Sequence, residues 1–399
     1  MNLKQLGILI VIVIVIGGAG LVLHNHQRAS WAETNAEAGK KLLGDFPFND
    51  VAQISIRHGT NELHLEKKND LWRVRERGDY PANFSQISGF LLKMRDLKIV
   101  QSEQAGASEL SRVNLAAGQG SNSATVVEFL DQNNKSIRTL LVGKKHMKKS
   151  AAPSQPEGDE GFPDGRFVKA GADSANVALI SDPLDNVDSA AEQWLDKDFI
   201  HVEKPKSIEA IFPAATYSWK LTRQSESGEW QLVGAKSGEE LDSSKTSGVT
   251  SPFGSASFTD VLPQSKSDQP ETNKPTVLKI ETFDDFSYTF NIGAKTNDDY
   301  LVTLSVAGDF PPRPIGANEK PEDKPKIDKI YNDAQQKLKD KFAQEQKCQG
   351  WTYLIPSWGV DSLLKPRSEL LAGKKEESKP SENSPGTNQV QLMEPAAGK

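Results

Sequence analysis

One strand programme runs twice along this chain, and it restricts the fold more than any other feature. Ile54 and Ile56 alternate with Ser55 and Arg57, the turn-forming Gly59-Thr60-Asn61 follows, and Leu63 and Leu65 alternate with His64 and Glu66 before Trp72-Arg73-Val74. Alternation with period two predicts an antiparallel meander that buries one face. Further along, Ile208 and Ile211 take the place of Ile54 and Ile56, and Trp219-Lys220-Leu221 that of Leu63-His64-Leu65. Gly228-Glu229-Trp230-Gln231-Leu232 likewise stands for Asp70-Leu71-Trp72-Arg73-Val74. The clearest match sets Thr276–Ile280, leading to Ile292-Gly293, beside Thr125–Phe129, leading to Val142-Gly143. The offset is roughly 150 to 158 residues throughout, which predicts a duplicated domain, since two copies are too few for a solenoid.

Between the strands the first copy carries a helix signal. Pro81 precedes Asn83, an N-cap residue with Gln86 three positions later, and Phe84, Ile87, Leu91, Met94 and Leu97 recur at helical spacing. In the second copy the matching stretch is Ser/Gly-rich, with Phe253, Phe258, Val261 and Leu262 as its remaining apolar points. Past the Pro-rich segment 311–325, Ile327, Ile330, Tyr331, Ala334, Leu338 and Phe342 form one stripe of a long helix. The short stripe predicts packing on the second domain, with coiled-coil pairing as the alternative.

The expected fold class is therefore α+β: an N-terminal transmembrane helix, two tandem strand-rich antiparallel domains each with a covering helix, then a C-terminal amphipathic helix and strand. The boundaries read as an anchor or signal peptide over 1–29, a connector over 30–44, the first repeat over 45–196 and the second over 197–310. A C-terminal helix and aromatic segment over 311–371 and a disordered tail over 372–399 complete the chain. Polar linkers explain an apolar content of only 36% in 399 residues. The run Leu6–Leu23 has no charge, and as a helix it would reach ~27 Å, enough to span a hydrocarbon core. Lys4 favours a cytoplasmic N-terminus with the body outside. The small residues Gly17–Gly20 and the segment Ala29–Ala32 keep a cleaved signal peptide open. Both readings export the body.

Several chemistries are excluded or unsupported. A net charge of −6, from 48 basic and 54 acidic residues, argues against nucleic acid as a partner. The single cysteine, Cys348, excludes an intrachain disulfide, a Cys-rich zinc site and an iron–sulfur cluster. Val142-Gly143-Lys144-Lys145 and Gly293-Ala294-Lys295-Thr296 lack the remaining residues of a phosphate-binding loop, so these glycines are expected to serve turns of positive φ. The histidines, His24, His26, His58, His64, His146 and His201, show no metal-ligand spacing. His58 and His64 flank one turn and are expected to be solvent-facing strand residues, with a two-ligand site across the hairpin as the weaker alternative. No Gly-x-Ser-x-Gly nucleophile elbow occurs, and the acid pairs Asp284-Asp285 and Asp298-Asp299 sit where turns are expected. No catalytic residue, metal or cofactor is assigned.

Two contact regions remain. The basic cluster Lys144, Lys145, Lys148 and Lys149, with His146 among them, is suited to anionic headgroups or a phosphorylated polymer. Its alternative is a solvated loop. Trp351, Tyr353 and Trp358 form an aromatic run suited to a partner or a glycan, or alternatively a strand that fills the core of the preceding domain.

The pattern as a whole resembles a known family. The apolar N-terminus, the strand pair closing on Trp72, and Asp79-Tyr80-Pro81-Ala82 leading into Phe84 and Leu91-Leu92 carry the first part of the likeness. Leu140-Leu141-Val142-Gly143-Lys144, Trp194-Leu195-Asp196-Lys197 and the closing segment Gly350–Leu371 carry the rest. Together, over most of residues 45–371, they resemble the bacterial family called domain of unknown function 4340. The resemblance implies a membrane-anchored extracytoplasmic protein, often encoded beside gliding-motility-like ABC transporter components, and it supplies no catalytic residues. The expected function is a non-enzymatic auxiliary or scaffold of an ABC-type envelope export or surface-assembly system, with permease or ATPase subunits as partners. A binding module for envelope polysaccharide or peptide and a hydrolase of unrecognised type are the alternatives.

Overall fold

The computed structural model describes residues 37–372, apart from 117, 119, 121–122, 149–160, 172–173, 175, 264–273 and 316–318. The expected anchor over 1–29, the first part of the connector and the tail from 373 onward lie outside the described residues. No helix among the described residues is long and apolar enough to cross a membrane.

In chain order the first half comprises β1 (Gln53–His58), β2 (Asn61–Lys68), β3 (Leu71–Val74), β4 (Tyr80–Pro81), α1 (Phe84–Asp96), β5 (Ile99–Gln104) and α2 (Ala107–Arg112). It continues with β6 (Thr125–Leu130), β7 (Ser136–Lys148), β8 (Phe162–Ala170) and β9 (Asn176–Ile180). The second half has β10 (Pro205–Ile211), β11 (Trp219–Thr222), β12 (Gln231–Leu232), α3 (Ser243–Thr246), β13 (Asp260–Leu262), β14 (Thr276–Thr282), β15 (Phe286–Thr296) and β16 (Asp299–Gly308). It ends with α4 (Lys324–Glu345), β17 (Thr352–Pro356) and α5 (Ser357–Val360).

The duplication is visible in strand order. One sheet runs β4-β3-β2-β1-β6-β7-β8-β9-β5 and the other β12-β11-β10-β14-β15-β16-β17-β13. Apart from β4, each strand of the first has its counterpart at the same place in the second, and all the pairings are antiparallel. Registers agree as well. Ile54 sits between Leu65 and Phe129, as Ile208 sits between Leu221 and Ile280. Ala210, and not Ile211, is the counterpart of Ile56, because it lies two residues from Ile208 and points to the same face. Ala210 faces Trp219 where Ile56 faces Leu63, so the small side chain makes room for the indole. The chain closes both halves alike. Asn83 N–H donates to the Trp194 carbonyl at 2.8 Å, and Asp242 N–H to that of Leu370 at 3.0 Å.

Gly143 and Gly293 do not make turns, and neither has a positive φ. Each lies inside a long strand where the register slips, between Val142 and Lys145 and between Ile292 and Lys295. At the first bulge the Lys144 N–H donates to the Val113 carbonyl at 2.8 Å. A Cβ on Gly143 would stand 2.4 Å from that oxygen. Close backbone approach, then, is what requires glycine there.

The covering helices differ. Asn83 Oδ1 caps α1 by accepting the Gln86 N–H at 3.0 Å, and Ile87, Phe90, Leu91 and Met94 are buried. Phe84, expected on that stripe, is 66% exposed, so burial begins at Ile87. In the second half only the single-turn α3 remains, capped by Asp242, followed by a loop that lays Phe253 on Phe290 with ring centroids 4.1 Å apart. Val249, Phe253, Phe258 and Val261 are buried, whereas Leu262 is exposed at the sheet edge.

Helix α4 is inserted between β16 and β17, where the first half has only the link from Ala170 to Asn176. Its C-terminal part packs as expected, with Phe342 against Phe286 and Phe310. Its N-terminal part meets the preceding strap instead, with the Tyr331 hydroxyl donating to the Pro311 carbonyl at 2.7 Å, and Ile330 is 62% exposed. Arg313, bound to Glu319 and Asp328, braces the preceding strap against the helix.

The two sheets share one continuous apolar core. At the junction Tyr80 makes ring contacts with Phe258, Trp351 and Tyr353, at centroid distances of 5.9, 5.0 and 6.2 Å. Lys197 donates to the Thr259 carbonyl at 2.8 Å.

Candidate functional site

The replacement of a thirteen-residue helix by one turn and a Ser/Gly-rich loop shapes the second half. Beside that loop lies a cleft of about 870 Å³, near the upper end of the range for small-molecule sites. One side is the segment His201–Pro205 leading into β10, another the loop from Gly248 to Ser257, and a third the residues from Trp358 to Ser362. Arg223 and Trp230 complete it.

Each wall is fixed from behind. The His201 N–H donates to Glu345 Oε1 at 3.0 Å, while Glu345 Oε2 accepts the Tyr288 hydroxyl at 2.8 Å. Burial, reinforced by this carboxylate, raises the Tyr288 pKa. The Lys341 ammonium holds Glu203 at 2.5 Å and lowers its pKa. The Asp284 carboxylate binds Lys204 at 3.1 Å and raises the lysine pKa. Arg223 donates to the Pro205 carbonyl at 2.7 Å and to that of Glu226, and lies over the Trp230 ring at 4.9 Å. Ser362 Oγ donates to the Gly248 carbonyl at 2.9 Å, tying the loop to the segment after β17.

The aromatic candidates separate. Tyr353 is fully buried in β17 and donates to the Cys348 carbonyl at 2.8 Å. Trp351 is half-buried against Tyr80 at the junction. These two hold the halves together. Trp358, on α5, is 70% exposed and faces the cleft.

The basic candidates are elsewhere, on the first sheet. Lys144, Lys145 and Lys148 belong to β7, not to a loop, because β8 pairs with that strand as far as Lys148. Lys145 pairs with Asp185, and His146 Nδ1 lies 2.5 Å from Asp164 Oδ1. Lys149 lies outside the described residues. The structure does not bring these lysines to the cleft.

The histidine expectation holds for His58, which is exposed, and changes for His64. His58 pairs with Asn61, while His64 lies opposite Ser55, so the two do not face each other. His64 is only 8% exposed: Glu76 accepts its backbone N–H at 2.9 Å and lies 2.7 Å from its Nδ1. Among the described residues no group of three His, Cys, Asp or Glu side chains is placed to hold a metal ion. The cleft residues His201, Lys204 and Arg223 were not singled out by sequence for this role. Trp230 was visible only as the counterpart of Trp72; that Trp72 is buried and Trp230 is not is apparent only in the structure.

Two antiparallel sheets of one repeated order, with one core and an open cleft in the degenerate copy, define a tandem α+β protein. The chain belongs to the family described as Domain of unknown function (DUF4340), whose model matches residues 72–279. The match runs from Trp72 in β3 to Lys279 in β14, less than the 45–371 over which the resemblance extends. Neither a curated protein nor a solved structure matches the chain.

Proposed function

We propose that the protein is a non-enzymatic, membrane-anchored extracytoplasmic scaffold, an auxiliary component of an ABC-type envelope export or surface-assembly system. One observation carries this reading: the aromatic junction around Tyr80 makes both sheets one body with fixed outer surfaces. A scaffold needs such surfaces. The uncharged run Leu6–Leu23 supports the anchor, and Lys4 supports the orientation. The projecting helix α4, which the first half lacks, supports a partner-facing role for the second half. The test is in-cell crosslinking of the protein at its native level, followed by detergent extraction and mass spectrometry. Specific capture of permease or ATPase subunits is expected, and an anchored bait that captures only envelope polymer, or nothing, counts against the proposal.

The cleft favours a second reading, a binding module for envelope polysaccharide or peptide. An indole left 70% exposed beside a concave polar surface is the observation behind it.

A further inference from the structure

We infer that the cleft of the second half binds an uncharged, hydroxyl-rich ligand, a segment of neutral saccharide, stacked on Trp358. The inference rests on the binding-module reading and adds the ligand class.

Three features select that class. The first is the platform. Trp358 sits on a single helical turn anchored at both ends, by the Ser357 N–H donating to the Asp298 carbonyl at 2.8 Å and by the buried Val360. Its indole stands open to solvent at the edge of the cleft, and an aromatic side chain with only two χ angles offers contact area at little entropic cost. A pyranose ring presents a face of C–H groups that matches this flat apolar surface.

The second is the polar lining. Ser251, Ser255 and Ser257 line the cleft, and all three are exposed. A hydroxyl both donates and accepts, as does each hydroxyl of a sugar. A phosphate or carboxylate only accepts, and would make use of half that capacity.

The third is the state of the charges. An anionic ligand draws on cations that can turn to meet it, and the lysine and arginine of the cleft already hold protein partners, Arg223 through Nε and Nη1. Lys204 is bound by Asp284 at 3.1 Å, with Glu226 at 3.8 Å. The Arg223 guanidinium is used on two carbonyls and on the faces of Trp230 and Phe283. The one lining carboxylate, Glu203, is held by Lys341 and lies 3.7 Å from His201. The walls therefore offer hydroxyls and an aromatic face, but little net charge.

The test uses the full chain in detergent or nanodiscs, titrated by calorimetry with cellohexaose, maltohexaose and chitohexaose. Hexagalacturonate and a mixed hexapeptide pool serve as the charged and peptide probes. At least one neutral hexasaccharide should bind, with an affinity that changes less than about twofold between low and high salt. Trp358→Ala should weaken it by about tenfold or more, Trp358→Phe should retain most of it, and Lys144→Gln, on the first sheet and away from the cleft, should leave it unchanged. The side chain of Trp358 is exposed, so its variants keep the fold, as circular dichroism will show. Ser255→Arg, which fills the cleft from the loop, should abolish binding with the indole intact. If only hexagalacturonate or peptide binds, and Trp358→Ala removes that binding, the neutral-saccharide assignment is overturned while the binding-module reading stands. If no probe binds, both are overturned.

Discussion

Arg77 and Asp260 meet fork to fork across the two halves of the molecule. Nε donates to Oδ1 at 2.7 Å and Nη2 to Oδ2 at 2.8 Å, with Glu192 standing 3.5 Å from the same guanidinium. Both side chains are about four-fifths buried, and the hydrogen bond to Asp260 raises the arginine pKa. Bidentate geometry of this kind fixes orientation as well as contributing energy. Asp260→Ala leaves the guanidinium the longer contact to Glu192 and should cost about 2 kcal/mol, less than for full burial because solvent still reaches the pair. The double variant Arg77→Met with Asp260→Leu should recover most of that loss. Urea unfolding of the two proteins measures both.

The bulge glycines give a graded pair. A Cβ on Gly143 would lie 2.4 Å from the Val113 oxygen and 2.8 Å from Leu115 Cγ, whereas on Gly293 the nearest atom is the Leu301 oxygen at 3.3 Å. Gly143→Ala should therefore destabilise by about 2–3 kcal/mol, and Gly293→Ala by less than about 1 kcal/mol. Equal losses in thermal unfolding would contradict this account of the bulge.

Glu345 links α4 to the lip of the cleft. Its removal in Glu345→Ala leaves the Tyr288 hydroxyl and the His201 N–H without their acceptor, at a cost of about 2–3 kcal/mol. Faster amide hydrogen exchange at His201 and Val202 than at the distant Ile54 is the expected local sign.

Alkaline pH should weaken the fold through Cys348. Burial pushes this thiol from 9.0 up to about 11, and the nearby carboxylates of Glu345, Asp196 and Asp198 act in the same direction. Between those values the unfolded chain has released the proton and the folded chain has kept it, so stability falls as pH rises. Stability curves should decline from about pH 9 upward, more gently in Cys348→Ala at matched reference pH. Native protein should resist thiol reagents at pH 8 until it is unfolded.

The legible strands were those whose pairing is local or whose alternation is strong. Ile54, Leu63 and Val127 announce their strands because their apolar period matches the pleat. Strand β8 contains Pro163, Asp164 and Gly165, residues typical of a loop, and its ladders with β7 and β9 make it a strand. The tail of β7 is hidden in the same way by its lysines. Strands β5 and β13 pair with β9 and β17 across long stretches of sequence, so no neighbouring residues signal them. The cap at Asn83 was readable because it depends on residues three apart. The cleft was not, since it results from a helix that the second copy does not form. Trp358 was visible as an aromatic residue, but its separation from Trp351 and Tyr353 depends on where β17 ends and α5 begins.

The shared core also limits how this molecule can respond to a ligand. Bending at the waist would have to part Tyr80 from Phe258, Trp351 and Tyr353, expose the buried face of each ring to water, and break the Arg77–Asp260 fork. At about 25 cal/mol per Å² of apolar surface, each ring uncovered adds to the cost of such a motion. The two halves are no clamshell. Whatever occupies the cleft meets a lip that Glu345, through its bond to His201, joins to the C-terminal end of α4.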